Sequence, residues 1–261
     1  MLAPQRQAMI LELIRRHGGV RVSDLVREFG VSDMTVRRDL DALADRGLVR
    51  KVHGGATTPD NRVTDEPGFT AKSTQQLAEK EAIARHAATL VQPGAGIALS
   101  AGTTTAILAR HLVDVPELTV VTNSIPVADV LHRNGRSDQT VILTGGVRTP
   151  SDALVGPVAV AAIRSLNPDL LFLGAHGISE SAGLSTPNLL EAETNRALID
   201  AARRVVVLAD HTKWQTVGIS SFARLADVDL VITDDRLPAP ARETLRDHVA
   251  DLVVVPAVED S

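Results

Sequence analysis

The sequence predicts two domains of different class: a mainly helical winged helix-turn-helix over residues 1–57, and an α/β domain with a mostly parallel sheet over residues 76–261, with 58–75 as the linker. Three observations predict this. The net charge of −5 is divided unevenly, since residues 1–57 hold ten Lys and Arg against seven Asp and Glu, a net +3, which leaves −8 for the rest. In the first quarter, apolar residues recur at helical spacing between glycines. Beyond residue 75, short apolar runs alternate with helical stretches, as in a parallel sheet covered on both faces.

Pro4 suits a first helical turn, and Met9, Ile10, Leu13 and Ile14 share one face until His17, Gly18 and Gly19 stop the helix. Ser23 is the expected N-cap of a second helix with Val22, Leu25, Val26 and Phe29 as its inward stripe, and Gly30 supplies a left-handed turn residue. Ser32 caps a third helix whose stripe is Val36, Leu40 and Leu43, ended by Arg46 and Gly47. LVRKVHGGATT then reads as two short extended pieces around Gly54-Gly55. Two helices joined by a short Gly turn, followed by a hairpin, form a winged helix-turn-helix.

TPDNRVTDEPGFTAK is rich in Pro, Asp and Thr and lacks periodicity, which places the linker there. Strands follow at 96–101, 119–123, 140–146, 170–175, 204–210, 229–233 and 251–255. Helical stretches lie between and beside them at 78–91, 104–113, 126–134, 157–165, 188–202 and 239–248. The chain has no cysteine, which excludes disulfides, thiolate metal sites and a thiol nucleophile. It has no run near the roughly 20 apolar residues of a membrane helix, and its N-terminus has no export-signal pattern, so a cytoplasmic protein without membrane contact is expected. With only four Phe and one Trp, base stacking is not the main mode of any nucleic-acid contact.

A basic module on an acidic body suggests a polyanion partner at one end. With Val36, Leu40 and Leu43 turned inward, the third helix presents Met34, Thr35, Arg38 and Ala42 outward, with Arg37 on the flank. Those residue types suit thymine methyls, phosphates and guanine edges. Ser32, Met34, Thr35, Arg37 and Arg38, with Lys51 and His53 of the wing, are the candidate DNA contacts. VSDLVREFGVSDMTVRRDLDALADRGLVRKVHGGA resembles the N-terminal domain of the DeoR family of bacterial sugar-operon regulators, through T-V-R-R-D-L and H-G-G-A. The resemblance implies that Thr35, Arg37 and Arg38 lie in a recognition helix.

In the α/β half, GIALSA runs into Gly102-Thr103-Thr104-Thr105 and a helix, which offers backbone N–H groups and hydroxyls to an anion at a helix N-terminus. The same threonines also suit plain helix capping. No Walker A loop and no G-x-G-x-x-G is present. Polar loops follow other strands, at Thr122-Asn123-Ser124, Gly145-Gly146-Val147-Arg148, Gly174-Ala175-His176-Gly177, and Asp210 with Lys213. In an open parallel sheet such loops form the ligand crevice.

G-T-T-T, V-V-T-N-S, L-T-G-G-x-x-R, L-V-G-P, F-L-G-A-x-G-I, S-T-P-N-x-x-E-A-E and L-A-D-x-x-K-W extend the resemblance to DeoR regulators over nearly the whole chain. The family's second domain is similar to the ribose-phosphate isomerase and CoA-transferase fold and binds phosphorylated sugars or related metabolites. The resemblance implies that phosphate falls to Gly102, Thr103, Thr104, Thr105 and Lys213, with Asn123, Arg148, Asn188, Glu191 and Asp210 lining the sugar. This chain departs from the family at Ser100-Ala101, where D-G is usual, at His176, where Asp is usual, and at His211-Thr212, where S-S is usual. His176 joins the candidate effector residues, and an effector different from the commonest ones, more acidic in kind, is expected.

His176, Asp210 and His211 are residue types that bind metal, but hydrogen-bonded histidines are the commoner outcome, and no metal, cofactor or catalytic residue is expected. The reading is a cytoplasmic DNA-binding repressor of a carbohydrate-catabolism operon. It binds operator double-stranded DNA as a homo-oligomer, dimer or tetramer, and is controlled by a phosphosugar effector. The alternative is a phosphosugar isomerase-like enzyme tethered to DNA. It is disfavoured because ISESAGLSTPN after Gly177 carries no lysine, although Glu191 remains available as a base.

Overall fold

The computed structural model describes residues 2–17, 19–52, 54–57, 66 and 68–257, and the chain divides into two compact units, residues 1–62 and 63–261. In the first unit, α1 (Ala3–His17), α2 (Val22–Phe29) and α3 (Asp33–Asp45) enclose a core of Ile10, Ile14, Leu25, Val36, Leu40 and Leu43, each 0–1% exposed. The predicted inward stripes of the second and third helices supply most of it. Gly30 closes the turn between α2 and α3 at φ 64°, where a side chain would be strained.

Two details differ from the sequence reading. The helix after the first glycine pair begins at Val22 with Arg21 as its N-cap, so Ser23 lies in its first turn. The reason is β1 (Gly19–Arg21), which extends the chain up to Arg21 by pairing with β3 (Gly55–Thr57). With β2 (Arg50–Val52), the expected hairpin becomes a three-stranded antiparallel sheet in the order β1-β3-β2. Gly55 is required there, because a Cβ on it would stand 2.1 Å from the carbonyl oxygen of Val20.

The second unit is built on seven parallel strands in the order β15-β14-β12-β9-β4-β5-β6. These are β4 (Gly96–Leu99), β5 (Thr119–Thr122), β6 (Thr140–Leu143), β9 (Leu170–Gly174), β12 (Val205–Leu208), β14 (Leu230–Asp234) and β15 (Leu252–Val255). With helices on both faces of the sheet, period-two alternation explains why the strands are mostly apolar. Phe172, Val206 and Leu208 face a core with α5 (Leu77–Ala88), α6 (Thr103–His111) and α7 (Ile125–Asn134). Leu171, Leu173, Val205 and Val207 face the opposite core with α8 (Pro157–Ile163), α9 (Leu189–Ala201) and α10 (Ala239–His248).

Smaller elements ornament this sheet. β7 (Val147–Arg148) pairs with β8 (Leu154–Val155), while β10 (Gly177–Ser179), β11 (Gly183–Thr186) and β13 (Ser220–Ala223) form an antiparallel sheet. Part of the stretch expected as linker, 58–75, is described in the structure. Residues 68–75 are folded into this unit, where α4 (Phe69–Ser73) seats Phe69 against the core containing Ile83 and Phe172. A single aromatic side chain anchors a stretch whose composition otherwise reads as loop.

Candidate functional sites

On the first unit, Ser32 accepts a hydrogen bond from the Thr35 N–H at 3.2 Å and caps α3 as expected. The Ser32 and Thr35 hydroxyls lie 2.8 Å apart, so the start of the helix is held internally. Met34 is 63% exposed, and Arg37 and Arg38 are both exposed. Their charges are not equally available. Arg37 pairs with Asp33 one turn earlier, which raises its pKa further, and Lys51 pairs with Asp41. Arg38 has no ion pair among the described residues. His53 lies outside the described residues.

On the second unit, a cavity opens where β4, β9 and β12 end at their carboxyl edge, the usual crevice of an open α/β sheet. Of the effector residues expected from the sequence, Gly102, Thr103, Thr104, Asn123, His176, Glu191 and Lys213 line it. Gly102 through Thr104 open α6, so that helix directs its first N–H groups to the cavity. Asn123 fixes the floor: its Oδ1 accepts from the Ala101 N–H at 2.9 Å and its Nδ2 donates to the Leu154 carbonyl at 3.1 Å.

Four expected residues stand elsewhere. Thr105 is fully buried and its hydroxyl donates back to the Gly102 carbonyl at 3.0 Å. Arg148 is exposed and paired with Asp152. Asn188 caps α9, its Oδ1 accepting from the N–H groups of Leu190 and Glu191 at 3.0 and 3.2 Å. Asp210 is 2% exposed and accepts from the Thr212 N–H at 3.0 Å, while its Oδ2, without a hydrogen-bond partner, lies 3.9 Å from Lys213 Nζ. None of these four is among the residues that line the cavity.

The departures from the family pattern separate in the same way. Ser100 is buried and its hydroxyl accepts from the Gly174 N–H at 2.9 Å, tying the ends of β4 and β9 together. His211 turns away from the cavity to Asp234, accepting company at two points: its N–H donates to Oδ2 at 2.7 Å and its Nδ1 lies 2.9 Å from Oδ1. That bond raises the His211 pKa. Of the departures, Ala101 and His176 line the cavity. His176, Asp210 and His211 therefore do not converge on a metal, and no cluster of three such ligands occurs among the described residues.

The cavity's electrostatics follow from burial. Desolvation, with Lys72 and Lys213 nearby, pushes His176 down to about 4, so it is a neutral imidazole near pH 7. Burial and the neighbouring Glu66 raise Glu191, against hydrogen bonds from the hydroxyls of Thr149 at 2.9 Å and Thr186 at 3.0 Å. Phe69, Lys72, Ser151, Thr186, Asn195 and Phe222 also line the cavity, and none was among the effector residues expected from the sequence. Asn195 was detectable, since it stands one turn beyond Glu191 on the same helix face. Lys72 was not, because it comes from the stretch taken for linker.

The comparisons with known proteins agree over nearly the whole chain. The model of the DeoR-like helix-turn-helix domain matches residues 6–62 and that of the DeoR C terminal sensor domain matches residues 75–235. The uncharacterized HTH-type transcriptional regulator YgbI of Escherichia coli K12 is 39% identical over 97% of this chain and 98% of its own. The HTH-type transcriptional regulator GlpR of Haloferax volcanii is 39% identical over 94% of this chain and 95% of its own. The glycerol-3-phosphate regulon repressor of Escherichia coli K12 is 34% identical over 95% and 97%. Among solved structures, ribose 5-phosphate isomerase A of Methanocaldococcus jannaschii aligns over 52% of this chain and 53% of its own, at 18% identity and a TM-score of 0.38. The seven-stranded sensor unit, the capped α3 with its winged sheet and these full-length matches agree: the chain belongs to the DeoR family of HTH-type transcriptional regulators.

Proposed function

We propose that this regulator is a repressor of a carbohydrate-catabolism operon, whose hold on operator DNA changes when a phosphorylated sugar or related metabolite occupies the cavity at the start of α6. The observation that carries this is the meeting, in one cavity, of the α6 N-terminus at Gly102–Thr104 with the Lys213 ammonium. A helix N-terminus and a lysine together suit a phosphate ester, while Asn123, Glu191 and Asn195 offer polar partners to sugar hydroxyls. Operator contact falls to the exposed start of α3, with Arg38 as its available cation, and Lys51 reaching the backbone once it leaves Asp41.

Linkage supplies the mechanism. A ligand that binds one arrangement of the DNA-binding units better shifts the equilibrium by its differential affinity, typically about 1–3 kcal/mol. A homo-oligomer, dimer or tetramer, would present paired helices to half-sites about 10 bp or a multiple apart. No helix is long and apolar enough to cross a membrane among the described residues, and a cytoplasmic location accords with the DNA-binding role.

The same reading makes the protein a binder and not a catalyst. Glu191, the carboxylate on the cavity wall, is occupied by two threonine hydroxyls. Anisotropy of labelled DNA from upstream of the gene, titrated with protein with and without sugar phosphates, tests the regulator reading. Salt-sensitive binding that one phosphosugar changes is the expected result. Turnover of a pentose or hexose phosphate by the purified protein would replace it with the isomerase alternative.

A further inference from the structure

Glu66 and residues 68–75 form a strap beside the cavity, outside the family motifs quoted above. Glu66 is fastened to the rim, accepting from Asn188 Nδ2 at 3.0 Å and from the Ser151 hydroxyl at 3.2 Å. The Phe69 N–H donates to the Pro150 carbonyl at 3.0 Å. Phe69 and Lys72 then enter the cavity wall, and α4 packs against α6, the helix whose N-terminus opens on the same space.

Lys72 is held there by a second lysine. The Lys80 side chain is 2% exposed, and its Nζ donates to the carbonyls of Lys72 at 2.7 Å and Gln75 at 2.6 Å. The buried ammonium thus closes the end of α4 and fixes the backbone that carries Lys72. The Lys72 side chain has no hydrogen bond or ion pair among the described residues, although burial and Lys213 both act against its charged form. Lys72 and Lys213 line one cavity with a neutral imidazole and Glu191; Lys213 disfavours the charge on Lys72 while Glu191 and Glu66 favour it, and a bound anion would relieve the repulsion between the two lysines.

We propose that Lys72 is a ligand residue: its ammonium donates to an anionic oxygen of the bound effector while Lys213 serves the same anion from the turn after β12, so that the ligand ties the strap to the body of the sensor unit. This rests on the reading that the cavity takes a phosphate ester. The strap is continuous in sequence with residues 58–65, which lead from the DNA-binding unit. A ligand that grips Lys72 therefore acts on the chain segment through which the two units are joined, and occupancy is converted into strap position.

The test is calorimetric titration of the full chain with ribose 5-phosphate, glycerol 3-phosphate and inorganic phosphate at fixed ionic strength, for the natural protein and for Lys72→Met, Lys72→Gln and Lys72→Arg. The expected result is a loss of about tenfold or more in affinity for the Met and Gln variants and near-natural affinity for the Arg variant. Hydrogen exchange at 68–75 slows on ligand binding in the natural protein and not in Lys72→Met. Equal affinity and equal strap protection in the Met and natural proteins would overturn the role of Lys72 and leave the effector reading standing. Absence of binding by all three phosphates to the natural protein would overturn both.

Discussion

Arg6 of α1 and Asp39 of α3 form a buried ion pair, their side chains 8% and 5% exposed, with Gln7 Nε2 donating to the other Asp39 oxygen at 3.1 Å. This pair fixes the helix that bears the DNA-reading face against the first helix of the unit. It also shows that one of the ten cations counted toward the positive end is structural. Removing one partner of such a pair strands a buried charge, and the cost is typically about 3–5 kcal/mol. Asp39→Ala is therefore expected to unfold or severely weaken the DNA-binding unit, read as early loss of structure in urea and loss of DNA binding. Arg6→Met combined with Asp39→Leu recovers most of the stability.

The unequal pairing of Arg37 and Arg38 predicts unequal consequences. Arg38→Ala should lower affinity for upstream DNA by about 1–3 kcal/mol and, if its partner is a phosphate, reduce the salt slope by about one. Arg37→Ala should cost less, since the natural side chain must first leave Asp33. Anisotropy at several salt concentrations separates the two, and equal losses would remove the distinction drawn from the ion pair.

Thr104→Glu places a carboxylate in the second residue of α6, where the cavity is expected to receive phosphate. The helix gains an acidic residue in its first turn, which its dipole favours, and this offsets part of the cost of placing a carboxylate at the buried Thr104 position. Response to a phosphosugar should disappear while DNA binding persists. A normal response in the anisotropy assay would take the α6 N-terminus out of the effector site.

His176 and His211 are shifted in opposite directions and predict opposite pH dependences. The His176 pKa is depressed to about 4, so between the ordinary value near 6.5 and about 4 the unfolded chain binds a proton that the folded protein does not, and stability falls as pH drops through that window. His211 is raised by its bond to Asp234, so its contribution is complete below pH 6.5 and is lost as pH rises through its folded pKa. His176→Gln should flatten the acid limb of a stability profile, and His211→Gln the limb at higher pH. Ring-proton titration by NMR should also show His176 moving up when a phosphate ester binds beside it.

The seven parallel strands and the helices beside them were legible because most of the strands are apolar on both faces and several helices begin with ordinary capping chemistry, as at Ser124 and Asn188. β1, of three residues, and the β10-β11-β13 sheet were not, since such short segments carry too few positions to show a period. Within the site, sequence picked out the polar loops at strand ends. It could not decide which way they point, so Asp210 and Asn188 turned out to serve the backbone while Thr186 and Asn195 reached the cavity. The strap was lost for a different reason. TPDNRVTDEPGFTAK has loop composition, and what folds its last part is one distant phenylalanine contact and the ammonium of Lys80.

The central pairing of β4 with β9 has a consequence for how the chain comes into being. The two strands are neighbours in the middle of the sheet, yet the segment between them holds two further strands of that sheet, β5 and β6. The helix-turn-helix unit, built from near-neighbours in sequence, can close on itself while the ribosome is still making the sensor. The sensor's midline has to wait until Gly174 has emerged, because non-local strand pairing carries the entropy of closing its long loop before any contact rewards it. In the interval a nascent chain would carry a finished DNA-binding head on an unfinished, signal-blind body.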